Sequence, residues 1–447
     1  MKQAMLKSKP IQHLGLRLRA FVTGGDWALA LPDQERRNLS HYWFDGLFSA
    51  ASDTIPINYL TLYLLALGAT GSQVGMFTAL TSLAAAVCLL PGALLVERHG
   101  HRKELTVWFG GGLARFALLV LALLPLGFTG QALIWVVILL SVVRSAAGNL
   151  AFPAWMSITG DIVPPDGRGR YFGSRNFVMN IAAMLMTYLV GEFITLVGSP
   201  QGYQISVLLA FGVGMISTYF FSRIKDQQAG EPVRSAMRVS LPEIWRDLRA
   251  SPIFLAFCFA AALWNFFVNV SGPFFNVYMA QNLNFTAAMI GITAVSTSIS
   301  KMLIQRKVGE LTDRWGSGRV QLVCMFLIPI LPLAWIFITQ LWQVVALNIL
   351  GGLFWGAFEL ASFNFLLVLT PVDQRARYSA IYQIVVTLAL AGGAAIGSSI
   401  ILWWGYTGIF VISSFGRIGA ALIFLPMLRS LQKRAGSAGE LAPARGW

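Results

Sequence analysis

The chain is predicted to be an all-α integral membrane protein, with twelve transmembrane helices in two pseudo-repeated six-helix bundles. Three observations carry that prediction. Of 447 residues, 56% are apolar and 12% charged, against roughly 25% charged in soluble domains, so the chain cannot supply a water-facing surface for its length. Twelve apolar segments of spanning length follow one another, a helix needing about 20 such residues to cross the hydrocarbon core. Charged motifs recur in register between the first six segments and the last six. An aromatic content of 13% with so few charges also excludes disorder.

In order, the expected spans are 40–66, 72–97, 104–127, 132–160, 171–197 and 203–222, then 252–280, 287–312, 320–339, 342–370, 378–403 and 406–428. Span one contains Pro56, which frees a backbone carbonyl and allows a bend. Phe152-Pro153-Ala154-Trp155 is expected to bend span four. Gly352-x-x-x-Gly356 and Gly393-x-x-x-Gly397 allow close helix approach in spans ten and eleven. These limits divide the chain into an N-terminal segment, 1–39, a first bundle, 40–224, a central loop, 225–251, a second bundle, 252–428, and a tail, 429–447.

Charge is segregated among the loops. The odd connections Gly68–Gly71, Gly127–Gln131, Gly198–Gly202 and Gln281–Thr286 contain no Lys, Arg, Asp or Glu. The even ones carry Arg98, Arg102 and Lys103, then Arg168 and Arg170, then the basic central loop. The excess of 33 Lys and Arg over 19 Asp and Glu, a net +14, is therefore a topology signal rather than a nucleic-acid footprint. It places both termini and the central loop in the cytoplasm, in the cell membrane. The first 38 residues show no cleavable signal pattern. Cys88, Cys258 and Cys324 all lie in apolar runs, an odd number that argues against a disulfide framework.

The halves repeat. At an offset of 216 residues Gly75 falls on Gly291, Glu97 on Asp313, Arg98 on Arg314 and Gly100 on Gly316. At an offset of 207, Pro164, Asp166, Arg168, Arg170 and Tyr171 fall on Pro371, Asp373, Arg375, Arg377 and Tyr378. Six spans per half keep both copies in one membrane orientation, which makes the repeat parallel.

The loop after span two, with Arg98, Gly100, Arg102 and Lys103, resembles the signature loop of the major facilitator superfamily, G-x-x-x-D-R-x-G-R-[KR]. Here Ala93 takes the glycine position and Glu97 the aspartate; the second copy, Gly309 to Gly316, keeps both. The resemblance covers nearly the whole chain. It implies two bundles around a central cavity, alternating access, and a conformational latch at Glu97, Arg98, Gly100, Arg102, Asp313, Arg314 and Gly316, with Asp166, Arg170, Asp373 and Arg377 in the second motif. An acid at a helix end pairs with an arginine and accepts from a facing helix N-terminus, and glycine permits the turn.

Charges within the spans are costly, about 2.5–3.5 kcal/mol each at mid-bilayer on insertion scales, so each needs a partner, a cavity or a function. Asp45, Ser49 and Asp53 share one broad face of span one, and Asn58 turns away from it. Span one lines the cavity in the resembled family, so Asp53 is the first candidate for proton coupling; desolvation there makes its protonation sensitive to its neighbours. The alternative is a permanent ion pair with a bundle arginine such as Arg144. Arg144 to Gly148 resembles the R-x-x-x-G core of the fourth-span motif of proton-coupled members. Lys301 and Glu359 form an ionisable pair in the second half, Asn265 and Asn269 give span seven a polar face, and Glu192 lies towards the outer end of span five. The family's arrangement makes spans three and twelve peripheral, so Arg115 and Arg417 are expected to be structural ion-pair partners. Arg175 is expected to snorkel to the interface.

Enzyme chemistry is not supported: H-E-x-x-H and G-x-x-x-x-G-K-[ST] are both absent, and the four histidines have no ligand spacing. No cofactor is expected. The leading reading is a proton-coupled exporter of a small organic or amphipathic compound, acting as a monomer. The alternatives are an uptake symporter or facilitator for a sugar, nucleoside, organic acid or peptide, and a non-transporting sensor, which the short loops disfavour. Trp264, Phe266 and Phe267 beside the span-seven polar face lean towards export, whereas span five lacks the G-P motif of drug/proton antiporters.

Overall fold

The computed structural model describes residues 22, 27, 28, 31–164, 167–226, 251–370 and 375–437, which contain no strand. The first bundle comprises α1 (Asp33–Ala66), α2 (Gly71–His99), α3 (Arg102–Leu126), α4 (Gly130–Ile162), α5 (Arg168–Val197) and α6 (Gln201–Ser222). The second comprises α7 (Pro252–Gln281), α8 (Ala287–Trp315), α9 (Ser317–Trp335) and α10 (Leu341–Leu369). It closes with one long helical stretch, Arg375–Ser437, that turns back at Gly405 (φ 61°), giving α11, residues 375–404, and α12, residues 406–437. Ten described segments are long and apolar enough to cross a membrane, one of them containing both α11 and α12. The more polar α1 is not among the ten, yet it packs along α5 and α6 at full spanning length.

Several positions of the repeat found in the sequence have a structural purpose, and the structure adds Thr70 and Thr286 to them. Thr70 caps α2, accepting from the Gln73 N–H, and Thr286, 216 residues on, caps α8 in the same way through Met289. Gly100 and Gly316 end α2 and α8 at φ 62° and 84°, a conformation that favours glycine. Tyr171 is buried and its hydroxyl donates to the Leu39 carbonyl at 2.6 Å, tying α5 to the start of α1. Tyr378, its repeat partner, bonds the Ser251 hydroxyl at 3.0 Å, just before α7. Each copy of the tyrosine thus anchors the first helix of its bundle.

Helix boundaries depart from the expected spans at both ends of the chain. α1 begins at Asp33 rather than residue 40, with Asp33 and Glu35 in a first turn that favours acids. α12 continues past residue 428. Apolarity marks where a helix meets lipid, not where its backbone starts. Pro153 lies inside a continuous α4, and α3 carries a π-helical stretch, Thr106–Leu113, that includes Gly110, Gly111 and Gly112.

The bundles meet through α5 against α8 and α2 against α11. The close contacts lie at the odd-loop end. Gly75 sits against Ser398 and Phe274, Gly291 against Tyr59 and Thr187, and Gly191 against Ala287 and Ala288. The Ala288 N–H donates to Thr195 Oγ1 at 3.1 Å across the same seam. With that end sealed, the space between the bundles opens towards the signature-loop end.

Candidate transport site

A cavity of about 680 Å³ lies between the bundles, walled by α1, α5, α7, α8, α9, α10 and α12. On the first-bundle side, Thr54 and Asn58 of α1 meet Thr187 of α5. The two threonine hydroxyls are 2.9 Å apart and the Asn58 amide donates to Thr187 Oγ1 at 3.2 Å. On the second-bundle side, Lys301 Nζ donates to Glu359 Oε1 at 2.7 Å, joining α8 to α10, and Glu359 remains well exposed to the cavity. Phe275 and Trp335 supply apolar wall, and Asn276 and Asn348 add amides. The cavity can therefore hold a mixed apolar and polar solute of drug-like size.

Asp53 does not line this cavity. It lines two smaller crevices inside the first bundle, of about 230 and 560 Å³. Its carboxylate accepts from both terminal nitrogens of Arg115: Nη1 reaches Oδ1, and Nη2 reaches Oδ2 at 3.1 Å. Arg144 Nη2 stands 3.6 Å from Oδ1, and the Ser49 hydroxyl donates to Oδ2 at 2.8 Å. Arg115 in turn donates to Ser52 Oγ at 2.9 Å. One carboxylate thus bridges arginines from α3 and α4, in a water-accessible site apart from the main cavity. The π-helical stretch ends one residue before Ala114, and its widened turns set the rotation of α3 that carries Arg115 to Asp53. Gly111 of that stretch lies against Thr218, where an added Cβ would stand 2.4 Å from the threonine methyl, so α3 and α6 approach closely here.

Two turns nearer the signature-loop end, Asp45 is buried. Ser217 Oγ donates to it at 2.7 Å, and Arg175 Nη2 lies 3.7 Å away. The Arg175 guanidinium covers the Tyr42 ring at 4.0 Å and its Nε donates to the Tyr42 carbonyl. Asp45, Ser49 and Asp53 line the 230 Å³ crevice together, as their shared helical face requires. Asn58, turned away from that face, lines the main cavity instead.

Several expectations are corrected. Arg175 does not snorkel: it is 4% exposed and paired within the bundle. Arg115 is an ion-pair partner as expected, but the carboxylate it holds is Asp53, the proton-coupling candidate itself. Arg417 is buried at 2% exposure, lines the main cavity and has no acidic partner among the described residues. Asn265 and Asn269 do not line the cavity: Asn265 bonds the Ala261 carbonyl of its own helix, and Asn269 donates to the Leu390 carbonyl of α11 at 2.7 Å. The polar face of α7 is used for helix packing, because an unpaired amide in an apolar wall takes the nearest free carbonyl. Glu192 is half-buried on α5 and forms no hydrogen bond or ion pair among the described residues. Sequence reasoning missed Thr54, Thr187, Asn276 and Asn348, which are uncharged and so carried no cost signal.

Of the latch residues, Arg98, Asp313, Arg314 and Arg170 are exposed and make no bond among the described residues. Asp166 and Asp373 lie outside the described residues, as do the side chains of Glu97 and Arg377. Arg102 behaves differently. It is 2% exposed, with Nη1 on Asp161 at 2.6 Å and on Ser157, and with Nη2 on Asp226 at 2.6 Å. It clasps the ends of α3, α4 and α6 within one bundle. Replacing it with glutamine removes the guanidinium from both Asp161 and Asp226, the latter 4% exposed. The expected cost is about 3 kcal/mol, read as a lowered unfolding midpoint of the purified protein. An unchanged midpoint would show the clasp to be energetically idle.

A family model described as Major Facilitator Superfamily matches residues 43–275 and 265–446. The multidrug resistance protein MdtG of Dickeya zeae is 22% identical over 418 residues, covering 92% of this chain and 99% of that one. A multi-drug resistance efflux pump PmrA homolog of Lactococcus lactis is 24% identical over 416 residues, covering 90% and 97%. Among solved structures, the nucleoside transporter NupG superposes with a TM-score of 0.68 at 13% identity, over 88% of this chain and 99% of that one. A D-xylose-proton symporter gives 0.64, also at 13% identity, over 87% and 96%.

Proposed function

The chain belongs to the Major Facilitator Superfamily, and from that premise we propose that this multi-pass membrane transporter exports small organic or amphipathic compounds in exchange for protons. The observation that carries export is the end-to-end similarity to two proteins named for multidrug resistance and efflux, which leaves no domain of either relative unaccounted for. Support for proton exchange comes from Asp53. Its carboxylate joins α1 to α3 and α4 through Arg115 and Arg144. Protonation removes the charge that holds those helices together, and the two arginines then repel one another. A proton on Asp53 thus favours a rearranged first bundle, and its loss restores the arrangement seen here. Solute occupies the separate cavity between the bundles, so coupling runs through helix packing rather than direct competition.

The transporter works as a monomer in the cell membrane, both termini cytoplasmic, since one chain holds both bundles and the even loops carry the basic charge. In this orientation the cavity opens to the cytoplasm, the loading side of an exporter. The exposed signature residues Arg98, Asp313 and Arg314 then form the latch that engages when that side closes.

The test uses energised everted vesicles with a pH-sensitive dye and a broad compound panel. At least one compound is expected to dissipate the pH gradient with wild-type protein, and at least tenfold less with Asp53→Asn. Proton flux that survives the substitution sinks the role of Asp53. A second reading, uptake of a hydroxylated solute, is supported by the amides of Asn58, Asn276 and Asn348 on the cavity wall. Accumulation of such a solute in right-side-out vesicles, with no compound-driven proton flux in everted ones, would replace export with uptake.

A further inference from the structure

The five N–H donors of an arginine are seldom left idle in a dry environment. Arg417 of α12 is an exception at the cavity wall. Its Nη2 donates to the Val268 carbonyl at 3.3 Å and to Ser271 Oγ at 2.9 Å, which fixes the guanidinium against α7. The support is itself braced, because Ser271 bonds Ser413 at 2.9 Å and Ser413 donates to the Phe267 carbonyl at 2.6 Å. Nε, fully shielded, has no acceptor, and Nη1 forms no hydrogen bond among the described residues. The acid that shares this cavity, Glu359, is already held by Lys301 at 2.7 Å. Arg417 therefore brings an uncompensated positive charge to a space otherwise balanced.

We propose that Arg417 is an anion-binding residue of the cavity, and that the compounds carried include aromatic or amphipathic molecules with a single carboxylate-type group seated on its guanidinium. This rests on reading the cavity as the solute site, and it narrows the class of solute. Three features agree with it. A carboxylate or similar oxyanion accepts from the N–H donors that Nη1 leaves free, while Nη2 is held by α7 and Nε stays shielded. A buried cation costs most when alone, so a ligand anion recovers more free energy here than at a solvated arginine. Phe275 and Trp335 line the same cavity and offer faces for an apolar body attached to the acid. A cationic compound, by contrast, meets repulsion from Arg417 and finds Glu359 already engaged.

Binding to the purified full-length protein in lipid nanodiscs, without any pH gradient, provides the test. The probes are three isosteric pairs: benzoate and benzamide, 2-naphthoate and 2-naphthamide, indole-3-acetate and indole-3-acetamide. Wild type is expected to bind the acid of at least one pair at least tenfold more tightly than its amide. Arg417→Gln should abolish that preference while leaving amide binding within about threefold, which also reports an intact cavity. Arg417→Lys keeps the charge without the planar fork and should retain only part of the preference; it decides the question alone if the glutamine variant does not purify. No acid preference in wild type, or a preference unchanged in the variants, overturns the proposal. Because no gradient or Asp53 variant is involved, export and proton exchange can fail in vesicles while the anion site stands, and the reverse.

Discussion

Valine at Gly75 or at Gly291 is expected to abolish transport while the protein still folds, because neither seam can then close. A Cβ at Gly75 would stand 2.4 Å from the Ser398 Cβ and 3.0 Å from its Cα, and the backbone of α11 cannot swing aside as a side chain can. At Gly291 it would stand 2.6 Å from the Tyr59 hydroxyl and 3.3 Å from the Thr187 carbonyl. Both contacts join the two bundles at the odd-loop end, so added bulk favours the state in which that end is open. Thiol labelling reads this directly. With cysteine placed at Asn58 on the cavity wall, an impermeant maleimide added from the odd-loop side should label Gly75→Val protein at least tenfold faster than protein with the native glycine. The milder Gly291→Ala should be rescued by Tyr59→Phe, which removes the obstructing oxygen. Normal transport and no gain in labelling would mean that the seam yields, and that the repeated glycines serve local packing only.

Removal of Arg115 is the second large effect. Arg115→Leu leaves the Asp53 carboxylate inside the bundle with the Ser49 hydrogen bond and, as its remaining cation, the more distant Arg144. Stranding one member of such a pair costs more than the pair itself contributes, about 1–3 kcal/mol at a site that water reaches. The double variant Arg115→Leu/Asp53→Asn removes the stranded charge and is expected to recover most of that loss. Unfolding midpoints of wild type, both single variants and the double variant form the cycle that measures it. If Arg115→Leu is no less stable than the double variant, the two side chains are not energetically coupled, and Arg144 becomes the partner to examine. The same cycle separates stability from transport: a double variant that folds well but moves no protons places the carboxylate in the transport step.

The apolar segments and the unequal charge of odd and even loops announced the helices, because lipid demands long apolar runs whatever the neighbours are. The repeat was equally legible. Gly75 with Gly291, Gly100 with Gly316, and Tyr171 with Tyr378 each serve matching ends or seams of the two bundles. Such positions answer to local backbone geometry or to a parallel repeat, both of which are written along the chain. The shared face of Asp45, Ser49 and Asp53, with Asn58 turned off it, also followed from helical spacing alone.

Pairing did not follow, since it depends on which helix lies beside which and how each is rotated. The sequence marked Asp53 and Arg144 as candidates, but the nearer guanidinium belongs to Arg115, brought round by a π-helical stretch whose only trace in the sequence is a run of three glycines. Asn265 and Asn269 carried a polar pattern that pointed to the cavity, yet the packing of α7 against α11 took Asn269 for a carbonyl bond. By span number Arg417 is peripheral, but the fold sets it in the cavity wall. The sequence by itself determined a twelve-helix membrane transporter fold with a duplicated frame, because burial in lipid and helical period act on each segment independently. Only the tertiary structure decided which charges neutralise each other and which one is left for a ligand, because that depends on distances of a few ångströms between segments remote in the chain.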